Sequence, residues 1–529
     1  MIQISDTTLR DGAQAEGISF SIDDKIQLVR ELDDLGIHWI EAGNPAANPQ
    51  DASFFEAIAS LPPLRHSKLT AFGSTCRPHV PAREDAALVR LNAVHADQKT
   101  IFGKSSLHHV RTVLLCEAEE NLRMIRDSVS FLRLGGAHVW FDAEHFFDAW
   151  KESPSYALQT LQAAEKGGAE RIILCDTNGG SMPDYIYEVV CSVREKTRIP
   201  LGIHCHNDCG LAAANSLAAV KAGCDLIQGT IGGVGERCGN ADLCTIIPII
   251  MQKMKLPCLP EGHLTRITHV SRVAAEIMNI SPNENAPFVG YSAFAHKGGM
   301  HIDAVLKDRA TYEQIDPESV GNQRRFLLSD QSGRAGVYAR LGRILPDLNR
   351  NSPEITTVIN RLKEMEAEGY TYENADGSFE LLALDTLGRR PSFFKVKDYH
   401  VLSQQGQGGM DAQAYLKIEV NGREEINAAE GDGPVNALDL ALRKTLALFY
   451  PSVSRMYLKD FKVRVLNLQG TASRVRVSIE STDGLHIWKT VGVHNNIILA
   501  SLRALIDSMD YMLTKFVSEE EIQQGSRIR

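Results

Sequence analysis

The sequence predicts an α/β protein with a TIM (β/α)8 barrel, a helix-rich linker with subdomains, and a C-terminal α+β domain. In the first 235 or so residues, a short β-rich run, a polar loop and a helical stretch follow one another repeatedly. Such alternation implies a parallel sheet. The β-rich run of this repeated unit occurs eight times, which favours a closed barrel over an open sheet. From about residue 395, alternating runs and tight turns replace this pattern.

The candidate strands are short and rich in β-branched and aromatic residues. The fourth has a competitor, since residues 110–115 fit a strand as well as residues 100–103 do. The eight candidates are residues 2–5, 39–42, 69–72, 100–103, 139–142, 171–175, 201–206 and 226–230.

Helical stretches lie between these strands, among them residues 23–35 and 211–222. Several end at a glycine, namely Gly36, Gly135 and Gly223. A glycine after the last helical turn predicts a left-handed C-cap.

The rest of the chain divides into two parts, so we predict domains at residues 1–260, 261–394 and 395–529. The middle part is polar and helix-leaning, as in residues 353–368.

The last part contains a weak internal repeat. Residues 414–420 and 473–479 alternate between apolar and polar side chains, and turns at Asn421-Gly422 and Asp483-Gly484 follow them. Asn-Gly and Asp-Gly between alternating runs indicate hairpins. Each unit then leads to a helical stretch, residues 435–448 and 498–513. This predicts two strand–hairpin–helix units with an edge that can pair with a second copy.

Composition excludes several classes of protein. Of 529 residues, 43% are hydrophobic and 23% are charged, which excludes a largely disordered chain. A net charge of −10 gives no general attraction to nucleic acid or to anionic membranes. No apolar run approaches the roughly 18 residues of a membrane span, and charged residues near the N-terminus do not fit a signal peptide. Ten cysteines without a CxxC pair favour reduced thiols, so we expect a cytoplasmic protein.

Two strand ends of the predicted barrel carry residues suited to a metal site. The active site of such a barrel lies at the C-terminal ends of its strands. The first strand leads to residues 6–14, which include Arg10, Asp11 and Gln14; a simple turn cluster is an equal alternative. On the seventh, His204 and His206 point to the same face, as paired metal ligands would. Two hydrogen-bonded barrel histidines are the alternative.

Other strand ends add candidates. The glycine-rich segment 229–242 lacks the GxGxxG spacing of a dinucleotide site, and Asn240 within it is either a turn residue or a further oxygen ligand. With Asp11 and the two histidines it would form a shell suited to Mn²⁺, Zn²⁺ or Mg²⁺. Glu144 is a possible base and Thr177 a donor to a substrate carboxylate; solvated loop residues are the alternative. Residues 295–303, with Tyr312 beyond them, form either a covering loop or a linker.

Three motifs together resemble the α-isopropylmalate synthase and homocitrate synthase family. They are residues 6–12 with Gln14, residues 204–208 and residues 232–240. The resemblance covers nearly the whole chain and identifies the last domain as a regulatory domain. Within the family, residues 11–17 and 43–49 are most similar to the branch whose keto acid is pyruvate.

The resemblance implies a metal-dependent Claisen condensation of acetyl-CoA with pyruvate and water, which gives (R)-citramalate and CoA. Asp11, His204 and His206 would hold the metal, with Asn240 nearby or ligating. Arg10 would bind substrate and stabilise negative charge on the enolate or alkoxide. Gln14 would orient that region, and Thr177 would bind the keto-acid carboxylate.

For the base, the family resemblance leaves two choices open. Glu144 is the barrel candidate, while His301 and Tyr312 would share the acid–base work if the subdomain closes over the barrel of a partner subunit. The family also implies a homodimer and an amino-acid effector, here isoleucine because the pathway leads to it.

Four other functions compete with this one. The same chemistry on 2-oxoisovalerate or on 2-oxoglutarate would make the chain an isopropylmalate or a homocitrate synthase. A lyase that cleaves an acyl-CoA adduct uses a similar barrel, but resembles only that part. A non-enzymatic amino-acid sensor is disfavoured because Arg10, Asp11 and both histidines are all present.

Overall fold

The computed structural model describes residues 1–327, 334–345, 347–349, 352–406, 409–466, 473–518 and 521. The chain forms two compact units. The first contains Met1–Phe294 and Gln314–Arg324, and the second contains Ala295–Glu313 and Arg325–Arg529. The chain therefore passes from one unit to the other three times. The two boundaries between the three domains expected from the sequence stay a prediction.

The first unit is a closed barrel of eight parallel strands, so the predicted TIM fold is confirmed. Strands pair in chain order, and the last pairs with the first, with Gln3 opposite Leu226. The strands are β1 (Gln3–Asp6), β2 (Trp39–Glu41), β3 (Lys68–Ser74), β4 (Gln98–Lys104), β5 (Val139–Glu144), β6 (Arg171–Asp176), β7 (Leu201–Cys205) and β8 (Leu226–Gly229).

Helices cover the outside of this barrel and bury their apolar faces against it. The first begins at Ser21, whose hydroxyl accepts from the Asp24 N–H while the Asp24 carboxylate accepts from the Ser21 N–H, a capping box. The helices are α1 (Ile22–Leu35), α2 (Pro49–Ala59), α3 (Ala86–Ala93), α4 (Leu107–His109), α5 (Ala118–Leu134), α6 (Phe146–Glu152), α7 (Pro154–Gly167), α8 (Pro183–Arg194), α9 (Ala212–Ala222), α10 (Leu243–Pro248) and α11 (Ile267–Ile277).

Two sequence-based alternatives are settled by the structure. The fourth strand is the one that contains residues 100–103, whereas Val110–Leu114 is a π-helical turn, so the competing strand at 110–115 is wrong.

Gly36 and Gly223 have the left-handed backbone conformation predicted for helix C-caps. Gly135 does not, because its N–H still bonds to Phe131 O as the helix ends. The left-handed position falls one residue later, on Gly136.

The second unit contains two three-stranded antiparallel sheets, each covered by one helix. This agrees with the predicted pair of strand–hairpin–helix units. Its strands are β9 (Ala295–His296), β10 (Arg325–Phe326), β11 (Lys395–Gly406), β12 (Gly409–Val420), β13 (Arg423–Gly431), β14 (Tyr457–Val465), β15 (Val475–Thr482) and β16 (Ile487–His494). Its helices are α12 (Gly299–Lys307), α13 (Arg334–Ile344), α14 (Pro353–Ala367), α15 (Asp376–Thr386), α16 (Pro434–Leu446) and α17 (Ile497–Lys515).

The two hairpin turns of this unit differ. Asn421 and Gly422 both have positive φ and form the predicted two-residue turn between Val420 and Arg423. The second turn is longer, because Thr482 pairs with Ile487 and leaves four residues between the strands. Asp483 stabilises this loop by accepting from the N–H groups of residues 485 and 486.

Helices α16 and α17 bury their inner faces in one apolar core with both sheets. The backbone of α17 lies very close to β16 at Gly492, where a Cβ atom would stand 2.1 Å from Ala500 O. None of the helices in the described part of the chain is both long and apolar enough to cross a membrane.

We therefore expect Gly492→Ala to destabilise the protein by about 1–3 kcal/mol, because helix and strand must separate to admit a methyl group. Urea unfolding measures this change. Gly342→Ala, in α13, is the matched control, since no atom of the described residues outside its own helix turn lies within 4 Å of the methyl group added there. The control should be neutral or stabilising by up to about 1 kcal/mol. Equal unfolding midpoints for Gly492→Ala and wild type would contradict the close approach.

Candidate metal centre and active site

Asp11, His204 and His206 meet at the C-terminal ends of the barrel strands. Asp11 follows β1, His204 lies on β7 and His206 follows it, and all three are buried. One possible ligand atom from each lies within 4.8 Å of the others. Asp11 Oδ2 is 3.3 Å from His204 Nε2 and 4.0 Å from His206 Nε2. Within the described residues, no other group of three His, Cys, Asp or Glu side chains meets this condition.

The protein orients His204 through the neighbouring strand. His204 Nδ1 lies 3.0 Å from Gln228 Oε1, and the two residues are register partners on β7 and β8. A proton on Nδ1 donates to Gln228, which leaves the Nε2 lone pair facing Asp11. Burial lowers the pKa of His204 to about 3, and burial also lowers the pKa of His206. Both imidazoles are therefore neutral, the form that binds a metal.

Asp11 supplies the negative charge. Burial alone would raise its pKa, but the Arg10 cation lowers it overall. The Asn240 amide is also close to this carboxylate, and Asn240 Oδ1 is buried with no hydrogen-bond partner among the described residues. Two neutral imidazoles, a carboxylate and an unsatisfied amide oxygen fit a divalent ion such as Mn²⁺, Zn²⁺ or Mg²⁺.

Arg10 lies beside this group and is held by two carboxylates. Its Nε donates to Glu41 Oε1 at 2.6 Å, and its Nη1 is 3.3 Å from Asp11 Oδ2. Its guanidinium also lies 3.9 Å from the ring centroid of Phe72. Although burial favours the neutral form, Glu41 and Asp11 raise the pKa of Arg10. The site therefore contains a fixed cation next to the metal ligands.

The strand ends enclose a cavity of about 180 Å³. One wall is aromatic, with Phe72 and Phe102 stacked at 5.5 Å between ring centroids. Another wall is the buried Asp142, whose pKa burial and the Glu41 charge raise well above the usual range, so this carboxyl is neutral. Seven residues predicted from the sequence line the cavity: Arg10, Asp11, Gln14, Glu144, Thr177, His204 and His206.

Glu144 and Thr177 both have partners at the cavity mouth. Glu144 Oε2 lies 2.5 Å from Lys104 Nζ, so these two side chains form an ion pair. Thr177 Oγ1 accepts from the His145 N–H at 2.8 Å, which leaves the hydroxyl proton available to donate. Both groups can therefore contact a bound substrate.

Comparison with known proteins places this site in a family. The model of the family described as HMGL-like matches residues 1–274. The family model described as homocitrate synthase post-HMGL domain-like matches residues 288–370. The family model described as the LeuA allosteric (dimerisation) domain matches residues 373–513.

Curated relatives match over the full length. The (R)-citramalate synthase of Geobacter sulfurreducens is 46% identical, covering 100% of this chain and 99% of its own. The (R)-citramalate synthase of Aquifex aeolicus is 47% identical, covering 98% of this chain and 99% of its own. The (R)-citramalate synthase of Synechocystis is 45% identical, covering 96% of this chain and 95% of its own.

This chain belongs to the α-isopropylmalate and homocitrate synthase family. It is therefore an enzyme of the transferase class.

The two acid–base candidates outside the barrel lie in the other compact unit. His301 is on α12, and its ring stacks on Tyr312 with 4.1 Å between centroids. Tyr312 is half exposed. The structure thus brings these two residues together, while their roles stay a prediction.

The sequence analysis missed several residues of the site. Glu41 and Lys104 end β2 and β4, so the rule that located Asp11 and Glu144 would also have found them. Phe72, Phe102 and Gln228 lie within apolar strands, where no local pattern distinguishes a cavity wall from the core.

Loss of one imidazole should remove the metal site. We expect His204→Ala to bind Mn²⁺ far more weakly than wild type in isothermal titration calorimetry. Gln228→Leu should weaken binding by about 10- to 100-fold, because the imidazole loses its orienting acceptor. His95→Ala changes an exposed histidine and should bind as wild type does. Wild-type affinity in His204→Ala would contradict the ligand assignment.

Proposed function

We propose that this enzyme condenses acetyl-CoA with pyruvate and water to give (R)-citramalate and CoA. The cavity carries the proposal, since it combines the Asp11–His204–His206 group, the Arg10 cation and a small aromatic wall. The curated relatives at 45–47% identity bear the name of this activity.

The keto acid would bind at the metal group. When bound, a divalent ion held by Asp11, His204 and His206, with Asn240 beside it, polarises the keto carbonyl as a Lewis acid. Thr177 donates its free hydroxyl proton to the carboxylate of pyruvate. Gln14 lines the same cavity and orients the reacting groups.

Glu144 is the base that the cavity supplies. It removes a proton from the acetyl methyl group, and the resulting enolate carbon attacks the keto carbon of pyruvate. The carbonyl oxygen becomes an alkoxide and takes up a proton. Water then attacks the thioester, and CoA leaves as the thiol. Arg10 stabilises the negative charge of enolate and alkoxide, because its cation is fixed in a buried site. His301 and Tyr312 are proposed to share the acid–base work.

The wall of the cavity favours pyruvate over larger keto acids. We propose that the side chain of the keto acid contacts the stacked Phe72 and Phe102 rings, which would disfavour the two extra methyl groups of 2-oxoisovalerate. Each misfitting methyl group is worth about 1–3 kcal/mol. The second carboxylate of 2-oxoglutarate would need another cation. Among the described residues that line the cavity, Arg10 is the one permanent cation, and it already pairs with two carboxylates.

CoA release from acetyl-CoA against a panel of keto acids tests this proposal. We expect release with pyruvate to exceed release with 2-oxoisovalerate or 2-oxoglutarate by at least about 10-fold. EDTA should abolish release, and added Mn²⁺, Zn²⁺ or Mg²⁺ should restore it. A preference for a larger keto acid would keep the mechanism and refute the pyruvate assignment. No release with any keto acid would refute the synthase.

The C-terminal sheets support feedback regulation. Residues 373–513 match an allosteric dimerisation domain, so we propose a homodimer whose C-terminal domain binds isoleucine. Inhibition requires that isoleucine binds the less active of two states more tightly.

Isoleucine should therefore inhibit CoA release by the full chain, whereas leucine at the same concentration should inhibit much less. A chain that ends at residue 390 should keep part of its activity and lose the inhibition. Inhibition that survives this truncation would refute the regulatory assignment.

A further inference from the structure

A buried ion pair joins α1 to α2 next to the backbone beside Arg10, which follows β1, and Glu41, which ends β2. Lys25 on α1 is 4% exposed and Asp51 on α2 is 7% exposed, and 2.7 Å separates Lys25 Nζ from Asp51 Oδ1. Asp51 Oδ2 accepts from the Asn44 N–H at 2.8 Å. Gly43 makes this approach possible, since a Cβ there would stand 2.4 Å from Asp51 Cγ.

The remaining hydrogen bonds of Lys25 reach the backbone beside Arg10 and Glu41. Lys25 Nζ donates to Leu9 O at 3.3 Å and to Ala42 O at 2.7 Å. Leu9 directly precedes Arg10, and Ala42 directly follows Glu41. One ammonium group therefore holds both backbones whose side chains form the 2.6 Å Arg10–Glu41 contact.

Arg10 has space to move if this restraint is lost. It lines a second cavity of about 410 Å³ as well as the catalytic one. Lys25 and Asp51 line the second cavity too. Without the Lys25 hydrogen bonds, the loop after β1 could relax into this space and carry the guanidinium away from the reacting atoms.

We propose that Lys25, paired with Asp51, is a positioning residue that fixes Arg10 and Glu41 for charge stabilisation in the condensation. The inference rests on the proposed function. It also explains why a lysine occupies this place, since a buried ion pair often gives no more stability than apolar side chains of the same size. The benefit of the ion pair is that Lys25 fixes the backbone beside Arg10 and Glu41.

The first test compares Lys25→Met with Lys99→Met. Lys99 is equally buried, and its Nζ donates to Asn92 O near the start of β4, away from the catalytic strand ends. At saturating metal, Lys25→Met should lower kcat by about 10- to 100-fold, as misplaced catalytic groups do, while KM for pyruvate changes much less. Lys99→Met should lower the melting temperature and keep kcat. Equal kcat in the two variants would overturn the proposal.

The double variant Lys25→Met with Asp51→Asn separates the effect of Lys25 on the position of Arg10 and Glu41 from its effect on the stability of the protein. Lys25→Met alone leaves a buried carboxylate without its cation, so the melting temperature should fall. Asp51→Asn in the same chain removes that charge and keeps an oxygen that can accept from Asn44, so the melting temperature should recover. kcat should stay low, because Leu9 O and Ala42 O still lack their donor. Recovery of kcat together with stability would overturn the proposal.

A third variant tests whether Lys25 acts through Arg10. In an Arg10→Lys background, Lys25→Met should lower kcat much less than in wild type, because the group that it positions has changed. If Lys25→Met lowers kcat by the same factor in the Arg10→Lys background as in wild type, Lys25 does not act through Arg10. Wild-type CoA release with pyruvate serves as the reference. Its absence would refute the proposed function, whereas its presence with unaffected variants would refute only the positioning role.

Discussion

The pairing of β1 with β8 is the constraint on which the site depends. Asp11 and His204 are almost two hundred positions apart in the chain, and they meet because the last barrel strand returns to the first. The loops at this junction are tied together as well. Thr8 donates to the Asp6 carboxylate and accepts from the Ile231 N–H, so the loop after β1 is fixed to the loop after β8. Arg237 bonds to Asp208 and to Thr177 O, which connects the loops after β6, β7 and β8. The candidate metal ligands, which follow the first strand of the barrel or belong to the seventh strand and its loop, thus share one rim.

Burial sets the charge of each group on this rim. Arg10 keeps its charge because two carboxylates lie beside it, whereas His204, His206 and Asp142 are neutral. The result is a site with one fixed cation, two neutral nitrogen donors and an ionised Asp11. This combination suits a reaction in which negative charge develops on the substrate near a metal. It also explains why the aromatic wall is compatible with so many ionisable groups: most of them are paired or uncharged.

Much of the fold was predictable because barrel strands and their helices alternate with a regular period. The strand ends then located Asp11, Glu144, Thr177 and the two histidines without any structure. Gln228 could not be found this way, since its function depends on lying opposite His204 in the register of two strands. Gly135 was assigned wrongly because sequence does not show whether a helix ends at the first or second glycine of a pair. Lys25 was missed for another reason: on an amphipathic helix a lysine is usually solvent-facing, and only packing reveals its buried contacts.

The three passages of the chain between the two compact units have a consequence for dividing this protein into parts. Because residues 314–324 return to the first unit, one protease cut at any junction leaves at least one covalent connection between the units. Separate expression of either unit would need a circularly permuted or spliced gene. Recombination among relatives that exchanges a continuous C-terminal piece therefore cannot keep both units whole: a breakpoint after residue 324 preserves the first unit but leaves residues 295–313 of the second unit from the other parent. Exchange of the second unit among such proteins is thus constrained by chain topology.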